Sequence, residues 1–430
     1  MELSTLYKCF LACGEVTTDS RHCPAGSMFI ALKGGNFNGN AFAEAALKQG
    51  CRYAVVDEPE YASPDNPNII LVDDCLQVLQ ALANYHRRRL GTRIIGITGT
   101  NGKTTTKELV ANVLMQKYNV LYTQGNFNNH IGVPLTLLRL TQEHEVAVIE
   151  MGANHPGEIR ALVQIVEPDC GLITNVGKAH LEGFGSFEGV IRTKGELYDF
   201  LRTKPGSAVF IQNENPYLNA IAHDLSCVRY GTSSGLYVSG HVTSCSPFLC
   251  FQWEAEGRTH EVKTHLIGSY NLDNALAAIA VGRYMGVDEK QISEALSAYV
   301  PQNNRSQFQE TSCNKLIIDA YNANPTSMMA ALKNFCQMEG EHKMAILGDM
   351  KELGEGSLLE HQKIVDYLIS CHFEQVFLVG SEFGAISHPF KQYAHVEEVI
   401  AELQVNKPQG YLILIKGSNS MKLSLLPEYL

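Results

Sequence analysis

Several things are scarce in this chain of 430 residues. Only 18% of residues are charged, there is a single tryptophan, and no Cys-x-x-Cys pair occurs. The twelve cysteines lie scattered, and at under about 3% of the chain they fall well short of a disulfide scaffold. Free thiols in a reducing compartment are expected. Basic charge is also short: 34 Lys and Arg stand against 45 Asp and Glu, leaving a net charge of −11. A grip on nucleic acid needs a basic face, so nucleic acid is excluded as a partner. The one local basic run, Arg87-Arg88-Arg89, reads as the solvated end of a helix. No apolar run approaches the roughly 18 residues needed to cross a bilayer. The segment Met1-Glu2-Leu3-Ser4-Thr5-Leu6 lacks the basic start and long apolar stretch of a signal peptide. A cytoplasmic enzyme without membrane insertion is expected.

At roughly 100–200 residues per domain, the length predicts two to four domains. Three textures divide the chain at 1–90, 91–300 and 301–430. The first mixes short apolar runs (28–32, 53–56, 69–72) with Gly- and Asn-rich turns and leads into a helix over 75–89. The second opens with a buried strand over 93–97, and further strands are expected at 146–149 and 172–174. Helix-length patterns separate them, which implies a parallel sheet. Alternation over 235–267 predicts antiparallel strands, and 271–285 reads as an amphipathic helix. After Pro301 the β-then-α pattern restarts, with strands over 316–318, 344–347, 376–379 and 411–415, which predicts a separate doubly wound domain. The expected fold class is therefore α/β in three domains: a small N-terminal α/β domain, a central P-loop domain on a parallel sheet, and a Rossmann-like C-terminal domain.

The strongest chemical signal is Gly99-Thr100-Asn101-Gly102-Lys103-Thr104, between the 93–97 strand and a helix start at Thr105-Thr106-Lys107. Glycines let backbone N–H groups approach phosphate oxygens. Lys103 would reach the β- and γ-phosphates, Thr104 would ligate Mg²⁺, and the helix N-terminus favours the anion. Ile97 stands where the standard motif has its first glycine, so this is a shorter variant. A second strand ends in Glu150-Met151-Gly152, where a carboxylate either binds Mg²⁺ or is a solvated strand end. His180 follows the third strand on the same side. Magnesium prefers oxygen, so its ligand role and an ordinary polar role stand level on the residues alone. Lys194, taken alone, reads as a surface lysine. Asn271 and Asn274, three apart at a helix start, either read an adenine edge or cap the helix. Asp319 to Pro325, Gly348 to Gly354, and Lys416-Gly417-Ser418 all fall at expected C-terminal strand ends, where open α/β sheets bind ligands or simply turn.

Taken in order, these motifs resemble the Mur ligases, the ATP-dependent amide-forming enzymes of peptidoglycan precursor synthesis. The resemblance starts at Asp19-Ser20-Arg21 and Phe29-Ile30-Ala31. It continues through Gly99–Thr106, 125–134, Glu150-Met151-Gly152 and 179–185, and ends with 271–278, Tyr321-Asn322-Ala323-Asn324-Pro325, 347–354 and Lys416-Gly417-Ser418. It implies ATP on Gly99, Thr100, Asn101, Gly102, Lys103, Thr104 and Thr105, with Asn274 at adenine. Glu150 and His180 would hold a second Mg²⁺, and Lys194 would be carbamylated to help hold it. Arg305 and Asp319 would reach the nucleotide from the third domain. Ser20 and Arg21, Asn128 and Asn129, and Tyr321, Asn322 and Asn324 would meet the substrates. Tyr321–Pro325 and Gly348-Asp349-Met350 are similar to the subgroup that adds D-Ala-D-Ala to UDP-N-acetylmuramoyl-tripeptide. The sequence departs from the common pattern at Tyr270 (His is usual), at Asn38-Gly39-Asn40 (Asp-Gly-His) and at Asn419 (Arg). A monomeric enzyme acting on small molecules is expected. A related ligase adding a single amino acid, a P-loop switch that only hydrolyses its nucleotide, and a nucleotide-sugar-binding regulator remain the alternatives.

Overall fold

The structure, a computed structural model, describes residues 2–35, 37–62, 65–302 and 305–430. Among these described residues three larger sheets, with the strands counted below, follow one another along the chain. The N-terminal sheet has four short parallel strands in sequence order, Val16–Thr17, Met28–Ile30, Tyr53–Val56 and Ile69–Leu71. Their apolar runs are buried almost throughout, as parallel strands covered on both faces require.

The helix Cys75–Leu90 leaves this sheet. Asp74 caps it by accepting the Gln77 N–H at 2.8 Å, and Gly91 closes it at φ +70°. Leu79, Leu82 and Ala83 are fully buried on one face, which joins the N-terminal core to the central one. In the arginine run at its end Arg88 and Arg89 are exposed, as expected, but Arg87 is not. Arg87 is buried, with Nη1 3.4 Å from Glu167 Oε2, and Arg88 pairs with the same carboxylate. A buried guanidinium needs a partner, and Glu167 supplies it from the central domain.

The central sheet has nine strands. Six of them, from Val120–Tyr122 at one edge to Cys227–Gly231, run parallel. Arg93–Thr98 sits between Val146–Glu150 and Cys170–Ile173, so three chain segments emerge side by side at one end of the sheet. The strand Val238–Cys245 continues in parallel, and Phe248–Ala255 and Arg258–Ile267 then add antiparallel. The expected antiparallel strands thus extend the same sheet. The helix Asn271–Tyr284 is not amphipathic. Nearly every residue from Asn271 to Gly282 is buried, because it lies between the helix Lys103–Leu114 and the strands that follow in the sheet. A helix apolar on all sides is an interior helix.

The C-terminal sheet has six strands. Lys315–Asp319, Tyr411–Lys416, His342–Gly348, Gln375–Val379 and Lys391–Tyr393 are parallel neighbours in that order, and Gln307–Glu310 adds antiparallel at the edge. Pro325–Gln337 and Ser357–Cys371 cover one face; Val396–Val405 and the C-terminal turns cover the other. This is a doubly wound domain with two apolar layers.

Candidate nucleotide site between the central and C-terminal domains

The glycine loop is shaped by its neighbours. Gly99 has φ +141°, and a Cβ there would lie 2.0 Å from Thr174 Oγ1 and 2.9 Å from the Thr174 nitrogen. Gly102 has φ +79° and backs onto Asn274. Only glycine fits both positions without strain. Gly102 also caps the helix Lys103–Leu114 without any side-chain bond, which leaves the first-turn N–H groups free for an anion. The loop is held from the side. The Asn101 N–H donates to Asn175 Oδ1 at 3.0 Å, and Thr174 Oγ1 donates to the Asn101 carbonyl at 2.6 Å.

Lys103 Nζ folds back onto the Gly99 and Thr100 carbonyls at 2.8 and 2.9 Å. Burial lowers its pKa to about 8, the nearby Arg305 charge adds to that effect, and Glu150 opposes it. A group of phosphates would relieve both pressures. Thr104 is buried, and its hydroxyl donates to Glu150 Oε1 at 3.2 Å; Asn128 Nδ2 donates to the same oxygen at 2.8 Å. Glu150 is no solvated strand end: it is 1% exposed, and its Oε2 has no hydrogen-bond partner among the described residues. Such a bare carboxylate oxygen suits a cation. Among the described residues no group of three or more His, Cys, Asp or Glu side chains is gathered as a metal cage. A cation here would therefore rely on a hydroxyl, Glu150, His180 and oxygens of the nucleotide.

Lys194 is likewise not a surface lysine. It is 2% exposed, with Nζ 3.1 Å from the Ala153 carbonyl and 5.1 Å from the centre of the Phe184 ring. Burial pushes its pKa well below the ordinary lysine value, and Lys103 adds to the effect. His180 lies in the left-handed region at φ +50°. Its pKa is lowered, mainly by burial, while Glu352 opposes the shift.

A cavity of about 930 Å³ opens over this loop. It is lined by Thr100, Asn101, Gly102, Lys103, Thr105, Asn128, Asn129, Glu150, His180 and Asn274 from the central domain, and by Arg305, Asp319, Tyr321, Asn322 and Asn324 from the C-terminal one. Gly99, Thr104 and Lys194 do not line it. Ser20 and Arg21 are not brought to this cavity. Arg21 is exposed and paired with Asp19 at 2.8 Å, in the turn between the first two strands of the N-terminal sheet.

The two domains touch through the site itself. Asn324 Nδ2 donates to Asn101 Oδ1 at 2.7 Å, while its own Oδ1 caps the helix Pro325–Gln337 by accepting the Ser327 N–H. The Arg305 guanidinium stacks 4.0 Å from the centre of the Tyr321 ring. Asp319 forms an ion pair with the buried Lys416 at 2.5 Å. Asn271 does not cap its helix: it donates to the Ile267 carbonyl at 2.8 Å and accepts from Asn274, whose own Oδ1 accepts from Thr106. The sequence reading missed the roles of Asn175 and Glu196. Glu196 is buried and accepts the Gly157 and Arg160 N–H groups at the start of the helix Glu158–Val166. No local pattern marked either residue, since both act on backbone far away in sequence.

Residues 14–87 match the Mur ligase family catalytic domain, 97–282 the Mur ligase middle domain, and 304–419 the Mur ligase glutamate ligase domain. The chain is 36% identical over 419 residues to the UDP-N-acetylmuramoyl-tripeptide–D-alanyl-D-alanine ligase of Bacillus subtilis (strain 168), covering 95% of this chain and 91% of the relative. This chain belongs to the Mur ligase family. The Escherichia coli (strain K12) ligase of the same name is 35% identical, with 94% and 91% covered. Among solved structures, a crystal structure of MurF from Acinetobacter baumannii superposes with a TM-score of 0.88 at 30% identity, covering 99% of this chain and 97% of that one. MurF ligase from Thermotoga maritima in complex with ADP gives a TM-score of 0.86 at 26% identity, covering 98% and 97%. These likenesses agree with the three-domain α/β architecture. No helix among the described residues is long and apolar enough to cross a membrane.

Proposed function

We propose that this Mur ligase joins D-alanyl-D-alanine to the terminal carboxylate of UDP-N-acetylmuramoyl-tripeptide, releasing ADP and phosphate. The observation that carries the reading is the likeness along nearly the whole chain to ligases of that name, over a cavity that both the P-loop and the C-terminal domain line. A carboxylate is a poor electrophile, so the γ-phosphoryl of ATP moves to it first, giving an acyl phosphate. The dipeptide amine then attacks the acyl carbon, and phosphate leaves as the amide forms.

In this reading Gly99 to Thr105 cradle the phosphates. Lys103 leaves its two carbonyl partners to pair with them, and Asn274 meets adenine. Arg305 and Asp319 come onto the nucleotide from the C-terminal domain, while Tyr321, Asn322 and Asn324 face the incoming dipeptide. Asn128 and Asn129 meet the acceptor, and Ser20 and Arg21 its uridine end. Thr104 would hold one Mg²⁺, and Glu150 and His180 a second; when bound, these cations neutralise charge on the transferring phosphoryl group. Neutral Lys194 is the form that adds CO₂, losing a proton to become a carbamate, and the resulting anion would face the second cation. Catalysis is then mainly positioning and charge neutralisation. The functional units are residues 1–90, 91–300 and 301–430, acting in a cytoplasmic monomer.

Purified protein with ATP and the tripeptide nucleotide should release phosphate only once D-Ala-D-Ala is added. Equal release without the dipeptide would identify a nucleotide-hydrolysing switch. Faster turnover with a single amino acid in a panel of amine donors would identify a different ligase.

A further inference from the structure

His180 and Glu352 come from different domains and meet. His180 follows the strand Cys170–Ile173, and Glu352 lies in the loop after the strand His342–Gly348. His180 Nδ1 lies against Glu352 Oε2 as an ion-pair contact, and among the described residues that buried nitrogen has no aligned hydrogen-bond partner. Both residues hold left-handed backbone, at φ +50° and +64°, which side chains other than glycine seldom adopt. Two facing loops thus each carry an unfavourable backbone conformation at the point of contact. Beside them Lys178 Nζ approaches Glu360 Oε1 at 3.4 Å, again across the domains.

From this juxtaposition we infer that Glu352 is a positioning residue for His180, so that docking of the C-terminal domain completes the cation site of the central domain. The inference rests on the reading of His180 as a cation ligand. A carboxylate that accepts the Nδ1 proton fixes the tautomer and leaves the lone pair on Nε2. It also holds the ring plane and raises the basicity of the free nitrogen. Glu352 suits the task, being 53% exposed and carried on the loop between the strand His342–Gly348 and the helix Ser357–Cys371 of the C-terminal domain. A divalent cation would then bind weakly while the domains are apart and tightly once they meet. Nucleotide capture in the central domain and the arrival of the third domain become coupled through one side chain, and neither Thr104 nor Glu150 has to move.

Mn²⁺ tests this on the full chain, because it accepts nitrogen ligands and its free form is read directly by electron paramagnetic resonance. Binding would be measured with saturating ADP for the wild type, Glu352→Gln, His180→Gly and Lys178→Ala. Glycine at 180 keeps the left-handed backbone without cost. Glu352→Gln is expected to weaken Mn²⁺ by about 10–100-fold, the usual cost of losing such an outer partner. His180→Gly should weaken it at least as much, and the double variant no further. Lys178→Ala, which cuts the neighbouring contact without touching His180, should stay within about twofold of wild type, as a surface pair contributes little. Wild-type binding by Glu352→Gln beside weakened binding by His180→Gly overturns the inference alone. Wild-type binding by His180→Gly overturns the ligand reading and the inference with it. Equal losses in Lys178→Ala and Glu352→Gln would assign the effect to domain docking in general, against a positioning role.

Discussion

Replacing Gly102 by alanine probes the phosphate loop in a way that gives a number. The residue sits at φ +79°, where an alanine costs roughly 1–2 kcal/mol. Its new Cβ would lie 2.5 Å from Asn274 Oδ1, so the amide has to move. That amide accepts from Thr106 Oγ1 at 3.0 Å and donates to Asn271 Oδ1 at 2.8 Å, and losing one such bond in a buried place costs about 1 kcal/mol. The sum is about 2–3 kcal/mol, and at 2–4 °C per kcal/mol for a domain of this size the central transition should fall by about 5–10 °C. Because Asn274 is displaced and the loop N–H groups re-aimed, ADP should raise the melting temperature less than it does in the wild type. Scanning calorimetry with and without ADP measures both effects. Gly99→Ala should do worse, since its Cβ would meet the Thr174 backbone as well as a movable side-chain tip. A Gly102→Ala protein with wild-type melting and an unchanged ADP shift would refute the account of the loop.

Three further outcomes are expected. Lys194→Ala should lose most of its ligase activity and regain part of it with added acetate, and wild-type turnover should fall when bicarbonate is stripped; full activity in the untreated variant contradicts the carbamate. Asn324→Ala removes both a helix cap and the amide contact to Asn101, so the C-terminal domain should lose about 1 kcal/mol in denaturant unfolding while kcat falls by more than that loss explains. His86 is buried and neutral, taking the Tyr7 hydroxyl on Nδ1 and facing the Leu140 carbonyl with Nε2. Burial lowers its pKa below that of the unfolded chain, so the stability it contributes is present above about pH 6.5 and is lost as pH falls through the folded value. The melting temperature should therefore drop between pH 7.5 and 5, with a shallower slope in His86→Gln.

Much of this architecture was legible because parallel strands buried on both faces are short continuous apolar runs. The strands at 93–97, 146–149 and 411–415 announce themselves that way. Short edge strands such as Lys391–Tyr393 and Gln307–Glu310 did not, since half-exposed residues carry little pattern. The phosphate loop was legible for a related reason: its chemistry is written in consecutive residues between a strand and a helix. Lys194 was not, because nothing nearby in sequence predicts that Ala153 and Phe184 bury it. Arg87 misled in the same way, as its partner Glu167 lies 80 positions on. Asn271 looked like a cap, yet it is tied to Ile267 and Asn274 inside an interior helix. Contacts between domains, such as Asn101 with Asn324, belong to the assembled fold and have no local signature.

The central claim is that the tripeptide carboxylate is activated as an acyl phosphate before the dipeptide adds. Labelling that terminal carboxylate with oxygen-18 and analysing the released phosphate by mass spectrometry tests it most directly. The account predicts one labelled oxygen in each phosphate, formed in step with a product that gains the dipeptide less one water. Unlabelled phosphate accompanying that product would contradict it.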